Sequence, residues 1–279
     1  MLFRSPGLQR RLLTYLRKTA KDNGCCIILT THSNVIIDLF SKDEEAQIIH
    51  VVHNGEYATA KSVKTYVENR GILDDLDVRA SDLLQANGIV WLEGPSDRLY
   101  FNRWIELWTD GKLKEGTHYQ CVYYGGRLLA HLSARGEALE ETIDILNVNK
   151  NALVLIDSDK NKEADPINAT KQRIIKEIED IGGKSWVTKG KEIENYVTSN
   201  AINPVLDITA ATQVGQYEKF DQYLNKLKAH EGESYLNNKV LFAEKVLPNL
   251  SKEDLETVLD LSEKISDAVS EIKRWNNIA

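Results

Sequence analysis

The chain has 279 residues, 42% hydrophobic and 28% charged, enough for one large or two modest domains with a real core, and it excludes a disordered chain. Its formal charge of -7 gives no global attraction to nucleic acid, so any such binding must use a local basic patch. No run approaches the roughly 18 apolar residues of a membrane span, and MLFRSPGLQRRLL lacks a secretory apolar core, so a cytoplasmic protein with no membrane partner is expected. Only three cysteines occur, and the adjacent Cys25 and Cys26 are too badly spaced for a disulfide framework or a zinc site. They are expected to be small core residues.

In chain order, PGLQRRLLTYLRKTAKDNG has helical spacing at Leu8, Leu12, Leu13 and Leu16 and stops at Asn23-Gly24. CCIILTTHS reads as a short strand breaking into a short helix, VIIDLF. AQIIHVVHNGEYATAKSV offers two strands around Asn54-Gly55, a strong hairpin signal. Residues 1–60 thus form one small α/β block, and the charged stretch 61–87 reads as a helical connector. From Gly88 to about residue 205 strands and helices alternate strictly. GIVWLEG, HYQCVYYGG, ALVLIDSD and KSWVTKG read as strands. SDRLYFNRWIELW, RLLAHLSARGEALEETIDILN and PINATKQRIIKEIEDIGG read as helices. Such alternation implies crossover connections and a mainly parallel sheet with helices on its faces. After Asn203-Pro204 the strand signals fade. Residues 206–279 read as a helical region in which YEKFDQYLNKLKAH, NNKVLFAEKVL and SKEDLETVLDLSEKISDAVSEIKRW are amphipathic helices.

The acids lie at the strand ends, where open parallel sheets place their ligands. GIVWLEG delivers Glu93 and the next turn Asp97; ALVLIDSD delivers Asp157 and Asp159. On an extended chain, positions two apart point the same way, roughly 6.5–7 Å apart, so both aspartates can lean into one pocket. Such a cluster stays ionised only beside cations, and hard oxygen ligands suit Mg²⁺ or Mn²⁺. Local roles stay open as well: Asp157 as a turn residue, Asp159 as a helix cap, and Glu93 and Asp97 as first-turn acids. A third stretch, VTKGKEIENYV, mixes Lys189, Lys191, Glu192 and Glu194 with apolar anchors. It reads either as a solvated charge run or as acids that complete a second metal site beside a lysine that meets a phosphate.

These residues carry a family resemblance. EGPSD at 93–97 resembles the glutamate motif of the Toprim (topoisomerase-primase) domain, and DSD at 157–159 resembles its paired-aspartate motif. KGKEIENYV and the YGG at 124–126 are similar to elements of the OLD (overcoming lysogenisation defect) family nucleases, which fuse an ABC-type ATPase to a C-terminal Toprim nuclease. TTHSN at 30–34 resembles the switch-histidine motif of such an ATPase, so that residues 1–60 look like its tail and His32 matches the γ-phosphate sensor.

The resemblance implies a Toprim-type α/β fold over 88–205 and a metal-dependent DNA endonuclease using two Mg²⁺ or Mn²⁺ ions, with Ca²⁺ binding but not supporting cleavage. Glu93 would be a metal ligand or general base; Asp97, Asp157 and Asp159 would bind metal. Glu192 or Glu194 would complete the second site, and Lys189 or Lys191 would stabilise the transition state. Ser158, between two aspartates on a strand, is expected to face the opposite side. Arg127, Lys160 and Lys162, with Lys189 and Lys191, are the candidates for holding the DNA backbone. Expected partners are DNA, an ATPase domain in the same polypeptide or a partner chain, and a second copy in a homodimer; the implied setting is bacterial or phage defence. The chain departs from the ATPase pattern: it has no G-x-x-x-x-G-K-[ST] loop, because Ile178 stands where GGKS at 182–185 would need its first glycine, so it is not expected to hydrolyse ATP alone. A non-catalytic Toprim module that binds DNA or protein, and topoisomerase-like strand transfer from a tyrosine such as Tyr123, Tyr124 or Tyr196, are the alternatives.

Overall fold

The computed structural model describes residues 6–31, 36, 40, 45–53, 57–62, 86–124, 149, 151–180 and 182–278. They fall into two compact units, one before residue 86 and one from Ala86 onward. His32, Arg127, Asn54-Gly55, most of the 61–87 connector and the long helix expected after Tyr124 lie outside the described residues.

In the first unit, α1 (Pro6–Asn23) ends where the sequence places its stop, with Gly24 in the left-handed region and the Cys25 amide bonded back to the Ala20 carbonyl at 3.0 Å. Strands β1 (Ile49–His53) and β2 (Ala58–Ser62) pair antiparallel with His53 opposite Ala58, the hairpin expected around the turn signal. CCIILTT does not behave as expected. No strand forms over Cys25–Thr31, Cys25 and Cys26 are exposed and not core residues, and Ile28 is 89% exposed. A β run becomes a strand only when another strand satisfies its ladder of amides and carbonyls, and none among the described residues does so here.

The second unit is built on a four-stranded parallel sheet of order β4-β3-β5-β6, with β3 at Ile89–Leu92, β4 at Gln120–Tyr123, β5 at Ala152–Ile156 and β6 at Lys184–Val187. β3 and β5 are buried at every position, as continuous apolar runs require when both faces of a parallel sheet are covered. The fold is therefore α/β with a parallel sheet flanked by helices, consistent with the Toprim-type arrangement. Helix α2 (Pro95–Thr109) carries the chain from β3 outward to β4, and α3 (Ala169–Asp180) carries it from β5 outward the other way to β6. Right-handed crossovers running in opposite directions place their helices on opposite faces. Accordingly Val90, Leu92, Leu153, Leu155 and Trp186 join one core with Tyr100, Phe101 and Trp104 of α2, whereas Ile174 and Ile178 of α3 lie outside that core. The edge-to-face contacts of Tyr196 with Trp104 and Trp186 tighten it, with centroids 5.6 and 6.2 Å apart.

The C-terminal helices are α4 (Ser199–Leu206), α5 (Phe220–Leu227), α6 (Glu231–Asn237), α7 (Lys239–Val246), α8 (Lys252–Leu255) and α9 (Leu261–Trp275). They share the α2 core: Phe220, Phe242, Leu255, Leu261 and Ile272 are buried in it. Two sequence readings change here. Asn203-Pro204 lies inside α4 and not in a loop, although no strand follows it among the described residues. The run from Ser251 to Trp275, expected as one helix, breaks between α8 and α9 at Leu259, which is left-handed (φ 48°). Leu255 and Leu261 are both fully buried, yet on one continuous helix they would point about 120° apart, so the chain turns to bury both.

Gly88, just before β3, sits under Trp275, whose ring would stand 2.0 Å from a Cβ at that position. Gly88→Ala is expected to cost about 1–3 kcal/mol by overpacking, read as a lowered Tm with the α/β circular-dichroism signature retained.

Candidate functional site

The chain runs from β3 to β4 in one direction and from β5 to β6 in the other, so the switch point lies between β3 and β5, and ligands of open α/β sheets bind beyond the strand ends there. Glu93 follows β3, Asp157 follows β5, and Glu192 and Glu194 follow β6; three neighbouring strands aim acids at one edge.

Asp157 is partly exposed as a residue, but its Oδ1 is buried without a hydrogen-bond partner, as is Oε2 of Glu93. Burial, and then the charges of Asp97, Glu194 and Glu93, push the Asp157 carboxyl well above the usual carboxylate range. Glu194, 1% exposed, is raised by burial and by Asp97, while its Oε1 accepts the Tyr235 hydroxyl at 2.6 Å. Glu192 begins the turn Ile193–Tyr196, and its Oε1 accepts the Phe220 amide at 2.6 Å. Of the two glutamates the sequence left open, Glu194 is the more deeply buried, and its charge raises Asp157.

Asp97 takes the local role that was left open as well as a place in the cluster. Its Oδ2 accepts the amides of Glu93 and Gly94 at 3.0 and 3.1 Å, and its Oδ1 accepts the Ser96 hydroxyl at 3.2 Å. It thereby caps α2 and pins the backbone that presents Glu93. Burial, then the charge of Glu93, push its carboxyl up to about 6.

Asp159 does not reach the pocket as an extended-chain partner of Asp157. β5 ends at Ile156, and Asp159 is left-handed (φ 56°) with its side chain 60% exposed. The amide of Asp159 donates to the Lys191 carbonyl at 2.9 Å, and Lys191 Nζ returns bonds to the Asp159 carbonyl and Asn161 Oδ1 at 3.2 and 2.8 Å. Ser158 is buried, and its amide donates to Thr188 Oγ1 and its hydroxyl to the Gly190 carbonyl at 2.6 Å. Gly190 is required there, since a Cβ would stand 2.6 Å from that of Asn195. Asn195 in turn ties the turn to the loop before α5, donating to the Gly215 and Glu218 carbonyls. Lys189 and Lys162 are exposed, and Lys160 Nζ donates to the Glu163 carbonyl at 3.3 Å. Two of the tyrosines have their hydroxyls engaged within the fold: Tyr124 donates to the Leu155 carbonyl, and Tyr196 donates to Asp260 while accepting the Lys189 amide.

The cations among these acids are two lysines the sequence reading missed. Lys171 Nζ lies 2.5 Å from Asp159 Oδ2, 3.5 Å from Glu93 Oε2 and 2.9 Å from the Asp157 carbonyl, with its side chain only 5% exposed. Lys239 Nζ lies 3.8 Å from Glu194 Oε1, 4.0 Å from Glu192 Oε2 and 5.2 Å from the Tyr235 ring centroid. Burial pulls both ammonium groups down, but the surrounding carboxylates outweigh it and leave both above the ordinary lysine value. A signal for Lys171 was present: it shares the buried stripe of α3 with Ile174 and Ile178, and a lysine at a core position of an amphipathic helix needs an acid to meet.

No family model and no curated protein matches the chain. Among solved structures it is similar to the C-terminal region of the OLD protein of Xanthomonas campestris pv. campestris. The identity is 14%, the match covers 68% of this chain and 95% of that one, and the TM-score is 0.35. No described helix is long and apolar enough to cross a membrane.

The donor set fits a hard divalent ion: carboxylate oxygens predominate, and two of them are buried without a hydrogen bond. Among the described residues, however, no three acid, imidazole or thiol side chains already stand round one point as ligands. Lys171 and Lys239 hold the acids on two flanks instead.

Because burial and mutual repulsion raise Asp97, Asp157, Glu192 and Glu194, the folded chain binds more protons than the unfolded one between about pH 4 and the raised values. Stability in that window falls as pH rises. The metal-free protein is therefore expected to melt higher at about pH 5.5 than at about pH 7.5, and saturating Mg²⁺ is expected to narrow the gap.

Proposed function

We propose that the unit from Ala86 onward is a Toprim-type nuclease that hydrolyses phosphodiester bonds in DNA with Mg²⁺ or Mn²⁺. The observation that carries this reading is the meeting of Glu93 after β3, Asp157 after β5 and Glu194 in the turn beyond β6 at the sheet's switch point, with buried oxygens of Glu93 and Asp157 that make no hydrogen bond. The likeness of EGPSD, DSD and KGKEIENYV to the family motifs supports it. Glu93 and Asp157 are the first ligands in this reading, with Glu194 on the second flank and Asp159 and Glu192 at the rim. Asp97 acts through Glu93 as a positioning residue.

A bound divalent ion would supply Lewis-acid polarisation of the phosphoryl oxygen and lower the pKa of a water molecule. The chain's own groups do the rest. Glu93 is the carboxylate placed to accept the proton of the attacking water as the P–O bond breaks. Lys239, fixed by Glu192, Glu194 and the Tyr235 ring, faces the same cluster and offers its ammonium to the negative charge growing on the phosphate. Lys160, Lys162, Lys189 and Lys191 lie on the loops after β5 and β6, where they can meet the flanking backbone phosphates. In this reading an ATPase module, in the same polypeptide or a partner chain, and a second copy are the partners, in a cytoplasmic defence setting.

The test is supercoiled plasmid with Mg²⁺ or Mn²⁺. Glu93→Ala and Asp157→Ala are expected to abolish nicking, Lys239→Met to slow it by about 100-fold, and Ca²⁺ to bind without cleavage. Nicking that persists in both acid variants, or none under any of these metals, overturns the proposal.

A further inference from the structure

Lys171 occupies a place for which the nuclease reading has no use. It reaches from the first turn of α3 into the acid cluster, where its ammonium meets three oxygens of Glu93, Asp157 and Asp159 at 3.5, 2.9 and 2.5 Å. These are residues nominated for metal binding, approached from the face of the sheet opposite the α2 core. A lysine this deeply buried is retained only where its charge is answered, and here two carboxylates and a carbonyl answer it. An ammonium and a divalent ion that approach the same lone pairs through the same space compete for them. Oxygen ligands hold Mg²⁺ at about 2.0–2.1 Å, and an ammonium still 2.5–3.5 Å from those oxygens would press against the ion.

We propose that Lys171 is the protein's built-in counter-cation, and that a divalent ion binds by displacing its ammonium from Glu93 and Asp159. The inference rests on the reading of the acid cluster as a metal site. Two features make the exchange mechanically feasible. The Asp159 carboxylate is 60% exposed on a left-handed loop, so the contact breaks at the solvent edge. The lysine stem is a flexible chain that can swing outward without moving α3. The exchange also accounts for the absence, among the described residues, of a preassembled group of three ligands: with Lys171 in place, Glu93 and Asp159 are gathered round an ammonium. Lys171 then sets metal affinity, holding the cluster together without metal and weakening binding by the competition it offers.

The experiment titrates Mn²⁺ into the full chain by calorimetry for the wild type, Lys171→Met and the charge-retaining Lys171→Arg. Lys171→Met is expected to bind Mn²⁺ about 10-fold tighter or more and to melt lower than wild type without metal, while Lys171→Arg stays near wild type. A second measurement needs no variant. Acylation of wild-type Lys171, followed by peptide mass spectrometry, is expected to rise several-fold when Mn²⁺ is added, as the buried ammonium is released. Equal or weaker Mn²⁺ binding by a folded Lys171→Met, or no ion binding by any of the three proteins, overturns the inference. Unchanged acylation on metal saturation overturns it too, and decides alone if Lys171→Met does not fold. Tighter binding without plasmid cleavage supports the displacement while sinking the nuclease reading, so the two failures are distinguishable.

Discussion

Carboxylates that follow three adjacent parallel strands repel one another at one edge of the sheet, Asp97 and Glu194 among them buried, and much of the second unit is arranged round their neutralisation. Burial favours the neutral forms of Asp97, Asp157 and Glu194, and neighbouring carboxylate charge acts in the same direction. The answering charges come from both faces of the sheet. Lys171 arrives on α3, the crossover between β5 and β6, and Lys239 arrives on α7, among the helices that pack with α2 on the other side. The C-terminal helices are therefore part of the site. They supply its second cation as well as Tyr235 and the Phe220 amide, which hold Glu194 and Glu192.

The rest of the architecture holds these groups in register. Asp97 spends its oxygens on the amides that present Glu93, so the first glutamate leaves β3 in a fixed direction. Ser158 ties the chain just after β5 to the Gly190 carbonyl, and Asn195 ties the following turn to the loop before α5. Beneath them the aromatic cluster of Trp104, Trp186 and Tyr196 leaves little freedom for the strand ends to shift. A site held this rigidly from below, with its exposed partner Asp159 on a loop at the rim, has its give in one place.

Patterns of apolar residues made most of the second unit legible. β3 and β5 announce themselves as short, wholly apolar runs because both faces of a parallel sheet are covered, and the acids that terminate them stand out because nothing polar precedes them. The CCIILTT run shows the limit of that signal: it has the composition of a strand but no neighbour among the described residues to complete its ladder. The helix expected over Ser251–Trp275 fails for a related reason, since periodicity could not foresee that Leu255 and Leu261 would be drawn into the same core.

The sequence by itself determined the α/β order and the strand ends that Glu93 and Asp157 follow, because these depend on short-range periodicity and on the direction of parallel strands. Only the tertiary structure decided which charges meet. Lys171 is 78 positions from Glu93, counted as 171 minus 93, and Lys239 is 45 from Glu194, counted as 239 minus 194, and no local pattern joins them. That Asp159 turns out to the rim, that Glu194 is buried beside Asp157, and that two lysines stand among the acids all follow from packing. Helices that cover a sheet must place some residue over its strand ends, and in this chain those residues are cations.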